Sequence, residues 1–527
     1  MTELSPRPIT PIDELSNAWV DKLAELSPIL ATYIGYPQRQ DQYDDFSPSG
    51  VAAANDAAKE TLRQLLALEP IDEVDVVSKR DLAEELQLNI ETFEAGAHFR
   101  DLNVLASPAQ DIRQVYDLMP SETEADWQTI STRLSNIDQA LSGYIATLSE
   151  GIARGIVPAK RQVVKVAAQV HEYAKADGIF AELIARANPE FNAALLEELN
   201  VHAQAAAGAY GKLEAFLNDT LLEHASEEDA VGREIYALAS RRFLGAKIDL
   251  DETYEWGIQE LARMASEQEA IAEQIKPGAS IAEAITYLAA EGKHTLNGTD
   301  ALQRWMQEKS DQAIEELGRS HFDIAAPIRD LECMIAPTNE GGIYYTGPTD
   351  DFSRPGRMWW SVPEGITTFD TWRELTTVYH EGVPGHHLQI AQAVYNRAEL
   401  NNYRRLLAGS SGHAEGWALY AERLMDNLGY LTDPADRLGM LDAQRMRAAR
   451  VVLDIGVHLG KPRLDGTGVW DYEYALEFFR SHVNMNDEFV VFEVNRYFGW
   501  PGQAPSYKVG QRLWENIRDE LKARQGA

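Results

Sequence analysis

Two short stretches carry side chains that can do chemistry together. The first is His380-Glu381-Gly382-Val383-Pro384-Gly385-His386-His387. It sets imidazoles, which ligate divalent metals, beside a carboxylate that can accept a proton. The second runs from Gly412 to Glu422 and carries His413, Glu415 and Glu422. A hydrolytic metal site needs a few neutral or anionic ligands and one open position, with a carboxylate nearby to handle the proton of water.

The common helical solution is His-Glu-x-x-His. Four residues turn about 400°, so both imidazoles share a face. Here the fourth residue after His380 is Pro384. His386 comes six residues on, about 600°, and a straight helix turns it to another face. His387 is nearly in phase but about 10.5 Å farther along the axis, too far to share one ion when zinc–nitrogen bonds are roughly 2 Å. If both ends bind one ion, the helix must break between them. Pro384 lacks an amide hydrogen and disfavours helix at Val383, while Gly382 and Gly385 accept unusual torsions. The expectation is a kinked or looped turn at Gly382–Gly385 that brings His386 beside His380. A plain helix cap after a Pro-Gly turn is the other reading of these residues.

Glu415 follows Ser410-Ser411, good N-cap residues, so it lies near the start of a helix. A helix N-terminus favours a carboxylate electrostatically, and that alone could explain it. The functional reading makes it the third ligand, in a two-His, one-Glu set. Glu422 falls seven residues later on the same face, where it could hold a ligand histidine in place.

His-Glu-Gly-Val-Pro-Gly-His-His-Leu-Gln and Glu-Gly-Trp-Ala-Leu-Tyr-Ala-Glu resemble the bacterial domain-of-unknown-function family 885, which is grouped with gluzincin-type metallopeptidases. More distantly the chain resembles thermostable carboxypeptidases and thimet-type oligopeptidases, helical proteins with a deep cleft. Gly151–Pro158, Arg450–His458 and Arg496–Lys508 match the family's pattern too, so the likeness spans about 150 to 510. The resemblance implies His380, His386 and Glu415 as metal ligands and Glu381 as general base.

Peptide hydrolysis builds an oxyanion, which needs a donor beside the metal. Tyr507 is the first candidate, with His458 or Tyr497 as alternatives. Asp454 and His458 stand four apart on a predicted helix and can pair, either behind the site or structurally. Arg447 and Arg450 share a helix face and could bind a substrate carboxylate, or simply pair with acidic residues. Tyr345 lies in Ile343–Thr346, a candidate edge strand for an extended peptide. His387 and His413 read as neighbours of the site. Trp359 and Trp360 read as core.

The elements that must position these residues are mostly helices. Apolar residues recur at three- and four-residue spacing over Ile12–Leu26, Val51–Leu68, Val74–Leu102, Thr123–Arg154, Arg161–Gly178, Phe191–Leu222, Asp251–Gln274 and Ser280–Glu291, the last with Ser280 as N-cap. Beyond Phe322 comes the short apolar stretch Cys333–Pro337, and then Gly341–Gly347 and Arg357–Val362, aromatic and β-branched, which predict a small β-hairpin or short sheet near 343–362. Helices resume at Phe369–Glu381, Gln389–Ala398, Ser411–Leu428, Pro434–Leu459, Asp471–His482, Asp487–Tyr497 and Val509–Arg524. The fold class is therefore mainly α. It reads as a helical part at 1–325 forming one cleft wall and a part at 326–527 bearing the metal site, with no flexible linker between them.

Composition excludes other classes. The net charge of −35 offers no basic face for nucleic acid and is repelled by anionic membranes. One cysteine, Cys333, allows no intrachain disulfide. No apolar run approaches the roughly 20 residues of a membrane span. The expectation is a cytoplasmic zinc metallopeptidase for short peptides, with manganese or cobalt as possible metals. Two alternatives stay open: a non-haem iron enzyme on the same ligands, and a non-catalytic peptide-binding protein.

Overall fold

The computed structural model describes residues 7–336 and 342–526. The start of the N-terminal coil, Pro337 and Gly341 lie outside the described residues. Helix accounts for 68% of the chain and strand for 5%, so the architecture is mainly α with small sheets. Among the described residues no helix is long and apolar enough to cross a membrane.

Local chemistry sets most boundaries. Ser280 caps its helix in a reciprocal capping box with Glu283. The pattern over Thr123–Arg154 resolves into two helices, Glu124–Ser135 and Ile137–Arg154. Asn136 separates them, its amide donating to the Asp41 carbonyl at 2.9 Å, the kind of side-chain bond that competes with helix. The helix begun at Glu73 stops at Glu94, before Gly96 turns left-handed at φ +71°.

The strands are short. β1 (Thr295–Asn297) pairs antiparallel with β5 (Thr368–Asp370). Three others form one sheet: β2 (Leu331–Ile335), β3 (Ile343–Thr346) and β4 (Gly356–Trp360), in the order β2-β4-β3. The expected hairpin is the antiparallel β3–β4 pair, with Ile343 opposite Trp360. β2 adds a parallel partner, so the Cys333 stretch is a strand. β5 runs directly into the helix Thr371–Glu381, whose first residue donates its amide to the His294 carbonyl beside β1. The small sheet thus fixes where that helix starts.

Two hydrophobic cores run across residue 325. One joins Met264, Leu302 and Leu317 to Trp372, Val378 and Leu438, and another joins Tyr236, Leu250 and Leu261 to Val451, Phe479 and Val509. The long helix Pro434–His458 links them, and every residue from Ala448 to His458 is buried. A helix covered on all sides is a spine rather than a surface element.

The helix Ser411–Asn427 crosses Ser506–Gln525 backbone to backbone. A Cβ on Gly510 would lie 2.3 Å from the Gly412 carbonyl oxygen, and one on Gly416 would lie 2.4 Å from the Gly510 carbonyl carbon. This contact sets the distance between Glu415 and Tyr507. Gly510→Ala is therefore expected to cost about 1–3 kcal/mol and lower the unfolding midpoint. Gly208→Ala, at an open helical position, should stabilise by roughly 0.5–1 kcal/mol. Calorimetry on both variants checks the pair.

Candidate metal centre

The helix Thr371–Glu381 ends with His380 and Glu381, and the next helix, His386–Tyr395, begins with His386. Gly382–Gly385 turns the chain between them, and the Val383–Pro384 peptide is cis. The amide of Gly385 donates to the Tyr379 carbonyl at 3.1 Å, and that of His387 to the Gly382 carbonyl at 3.1 Å. A Cβ on residue 385 would sit 1.9 Å from the His380 carbonyl oxygen. Its φ is −76°. What this position demands is the missing side chain, not a left-handed torsion.

The turn brings the two imidazoles together, with ring centroids 4.8 Å apart and planes at 89°. His380, Glu381 and His386 offer ligand atoms that all lie within 4.8 Å of one another. Glu415 approaches from the neighbouring helix, its Oε2 3.2 Å from His380 Nε2 and 3.7 Å from His386 Nε2. Zinc bonds of roughly 2.0–2.1 Å set tetrahedral ligand atoms about 3.3–3.5 Å apart, so these separations fit two nitrogens and one oxygen around a single ion. Two carboxylates therefore compete for the third place. Glu415 has the closer geometry, while Glu381 keeps a buried Oε2 with no hydrogen-bond partner among the described residues, free for another task.

The surroundings orient the cluster. His380 Nδ1 stands 2.7 Å from Glu422 Oε1, leaving Nε2 to face Glu415. Thr376 donates to the other Glu422 oxygen at 2.9 Å, and Gln444 reaches the same oxygen at 3.4 Å. A carboxylate behind a histidine fixes its tautomer and raises its basicity as a ligand. Ser410 caps the helix of Glu415 by accepting from the His413 amide. The Glu415 carboxylate is thus turned to the imidazoles rather than to the helix end.

Charge is concentrated here with little exposure to water, Glu415 being the most open of the group. Burial disfavours the His380 cation, but the bonds to Glu415 and Glu422 prevail and raise it from 6.5 to about 10. Burial also pushes against the Glu415 carboxylate, yet His380 and His386 hold it well below the usual range. Burial raises Glu381, with His380 opposing. In the metal-free protein a proton on His380 does what a cation would do.

Other candidates fall near or far. Tyr507 stands close enough to Glu415 for the carboxylate to add to the burial that raises its phenol. Its hydroxyl makes no hydrogen bond among the described residues. Arg447 and Arg450 both lie over its ring, at 5.9 and 5.3 Å. His458 does not join the cluster. It sits 14 residues beyond Gln444 on one helix, about 21 Å along the axis, with Nε2 on the Tyr497 carbonyl. Asp454 accepts from Tyr236 and the Gly502 amide there, so it supports that distant junction. The Tyr497 hydroxyl accepts from Arg450 Nε and donates to Glu493. Tyr345 spends its hydroxyl on His387 Nδ1 at 2.8 Å, and His387 Nε2 meets the Ile328 carbonyl. That bond ties β3 to the second helix and commits the Tyr345 hydroxyl there. His413 packs on Trp514, outside the cluster.

One positioning residue had no role in the sequence reading. Trp417, two residues past Glu415, donates its indole N–H to the Pro384 carbonyl at 2.8 Å and lies 3.3 Å from that of Gly385. It pins the turn to the helix that carries Glu415. Its signal was its place inside Glu-Gly-Trp-Ala.

A model of the family described as "Bacterial protein of unknown function (DUF885)" matches residues 28–527. The chain belongs to that family. Two solved structures share the DUF885 chain's fold. "The putative lipoprotein from Colwellia psychrerythraea" is 22% identical, with a TM-score of 0.79 over 97% of this chain and 93% of its own. "A putative lipoprotein of unknown function from Shewanella oneidensis" is 18% identical, with a TM-score of 0.76 over 98% and 94%. A Pyrococcus furiosus carboxypeptidase aligns over 94% of this chain and 86% of its own at 11% identity, but its TM-score of 0.33 carries no argument. No curated protein matches the chain.

Two outcomes follow for this DUF885 site. His380 must lose its proton to ligate, so zinc affinity should rise by about tenfold per pH unit between pH 6 and 9, read by competition with a chromophoric chelator. In the metal-free protein the sign is opposite: the stability that His380 adds is complete below 6.5 and fades as pH climbs towards about 10. Trp417→Phe keeps the ring but removes the donor. It should weaken zinc binding by about tenfold or more in the same competition assay, with little change in the metal-free unfolding midpoint.

Proposed function

We propose that this chain is a metal-dependent hydrolase, a zinc peptidase that cleaves short peptides, with manganese or cobalt as substitutes. The reading rests on one observation: two imidazoles from either side of a broken helix and a carboxylate from another helix converge, with Glu381 alongside. His380, His386 and Glu415 would hold the ion, and Glu422 would keep His380 oriented. A divalent cation bound there supplies Lewis acidity and lowers the pKa of water.

The remaining work falls to side chains of the chain. Glu381 is buried and its unpartnered oxygen can take the proton of the attacking water. It then delivers that proton to the amine as the carbon–nitrogen bond breaks. Water adds to the peptide, and a carboxylate and an amine leave. Tyr507 can donate its uncommitted hydroxyl to the oxyanion as it forms. The burial of His380, Glu381 and His386 keeps bulk water from diluting these charges.

The test pairs metal analysis with kinetics. Purified protein should carry one equivalent of divalent metal, and a chelator should abolish hydrolysis of a short-peptide library. Glu381→Gln should keep the metal and lower kcat by about 10²–10⁴-fold. A protein that binds no stoichiometric metal sinks the hydrolase reading and leaves a peptide-binding role.

A further inference from the structure

Three guanidinium groups gather beside the metal centre on a chain whose net charge is −35. Arg450 donates to Tyr497 at 2.6 Å and to Glu493 at 2.7 Å. Arg496 donates to the same Glu493 at 2.9 and 3.2 Å and also to Gln503. Two cations therefore share one carboxylate. Nearby Asp454 accepts from Tyr236 and Gly502 instead.

Arg447 is the third, and it has no acidic partner within ion-pair distance among the described residues. Its one hydrogen bond returns to the Ala443 carbonyl of its own helix at 3.1 Å, and its Nε is buried without a partner. Burying part of a guanidinium without an anion is costly, so the group is suited to receive one. Its placement gives it an address. Arg447 lies three residues past Gln444, which touches Glu422, and three before Arg450, so it stands beside each of them on the helix and next to the side that meets the cluster. Its charge reaches Glu381, Glu422 and Tyr507.

We propose that Arg447 anchors the C-terminal carboxylate of the peptide substrate, which makes the enzyme a cutter of bonds close to a free C-terminus. The inference rests on the peptidase reading given above. A guanidinium offers a planar fork that matches a carboxylate. Because the Arg447 charge acts on Glu381 and lies 5.9 Å from the Tyr507 ring, the group it holds would lie within a residue or so of the cleaved bond. There the terminal carboxylate is present whatever the side chains are. Arg450 is already paired with Glu493 and bonded to Tyr497, so it supports the wall instead of the ligand.

The test compares three probes on the zinc-loaded enzyme: N-acetyl-tetraalanine as free acid, the same peptide amidated, and an amidated version with glutamate in the third position. Wild type should cleave the free acid with kcat/KM about ten- to a hundredfold above the amide. Arg447→Met should close that gap by slowing the free acid, and Arg447→Lys should keep part of it. Equal cleavage of acid and amide by wild type, or a gap that survives Arg447→Met, overturns the proposal. A glutamate amide that matches the free acid overturns the C-terminal assignment in favour of acidic side chains. If zinc-loaded wild type cleaves none of the probes, the peptidase reading fails alone. Calorimetric binding then judges Arg447: tighter binding of the free acid that is lost in Arg447→Met supports it, and equal binding of acid and amide overturns it.

Discussion

The site depends on one close approach: the Cα of Gly385 rests against the carbonyl oxygen of His380. Two imidazoles six residues apart cannot meet on a continuous helix. They meet here because the chain folds back on the end of the first helix, with no side chain in the way, and starts the second at once. Everything around that contact keeps it in register. The β1–β5 pair fixes the start of the first helix, Trp417 holds the turn from outside, and Tyr345 ties His387 to the sheet. Short strands in a helical protein thus act as clamps on helix ends.

The charges around the cluster are arranged in two layers. Nearest are three carboxylates, Glu381, Glu415 and Glu422, set against two imidazoles. Behind Tyr507 stand three guanidinium groups with Glu493 between two of them. Each layer alone would be costly to bury, because its charges are of one dominant sign. Facing each other, they lower the cost for both and leave a graded field from cation to anion across a few ångströms. Tyr507 sits at the boundary.

Much of this was legible in the residues. The 3.6-residue period placed the helices, the Pro-Gly interruption predicted a turn between His380 and His386, and a seven-residue interval put Glu422 on the face of Glu415. What escaped has physical reasons. Strands of three to five residues are too short to show an alternating pattern, so β1, β2 and β5 gave little signal. Helical spacing told that Asp454 and His458 were neighbours, but not that the helix carries them about 15 and 21 Å beyond Gln444. Arg447 and Arg450 looked equivalent because the carboxylate that pairs with one of them, Glu493, lies 43 residues away in sequence. The break at Asn136 came from a tertiary bond to Asp41, which no local window contains.

The crossing of the two glycine-lined helices has a thermodynamic side. Gly412, Gly416 and Gly510 lock Glu415 and Tyr507 into one stiff unit, whereas the histidines ride on a separate pair of helices joined by the turn. An ion between them would add a third tie to the two that Trp417 and Glu422 already make, at Pro384 and at His380. Its ligands would be held near their final spacing before it arrives, so its binding would cost little ordering of side chains.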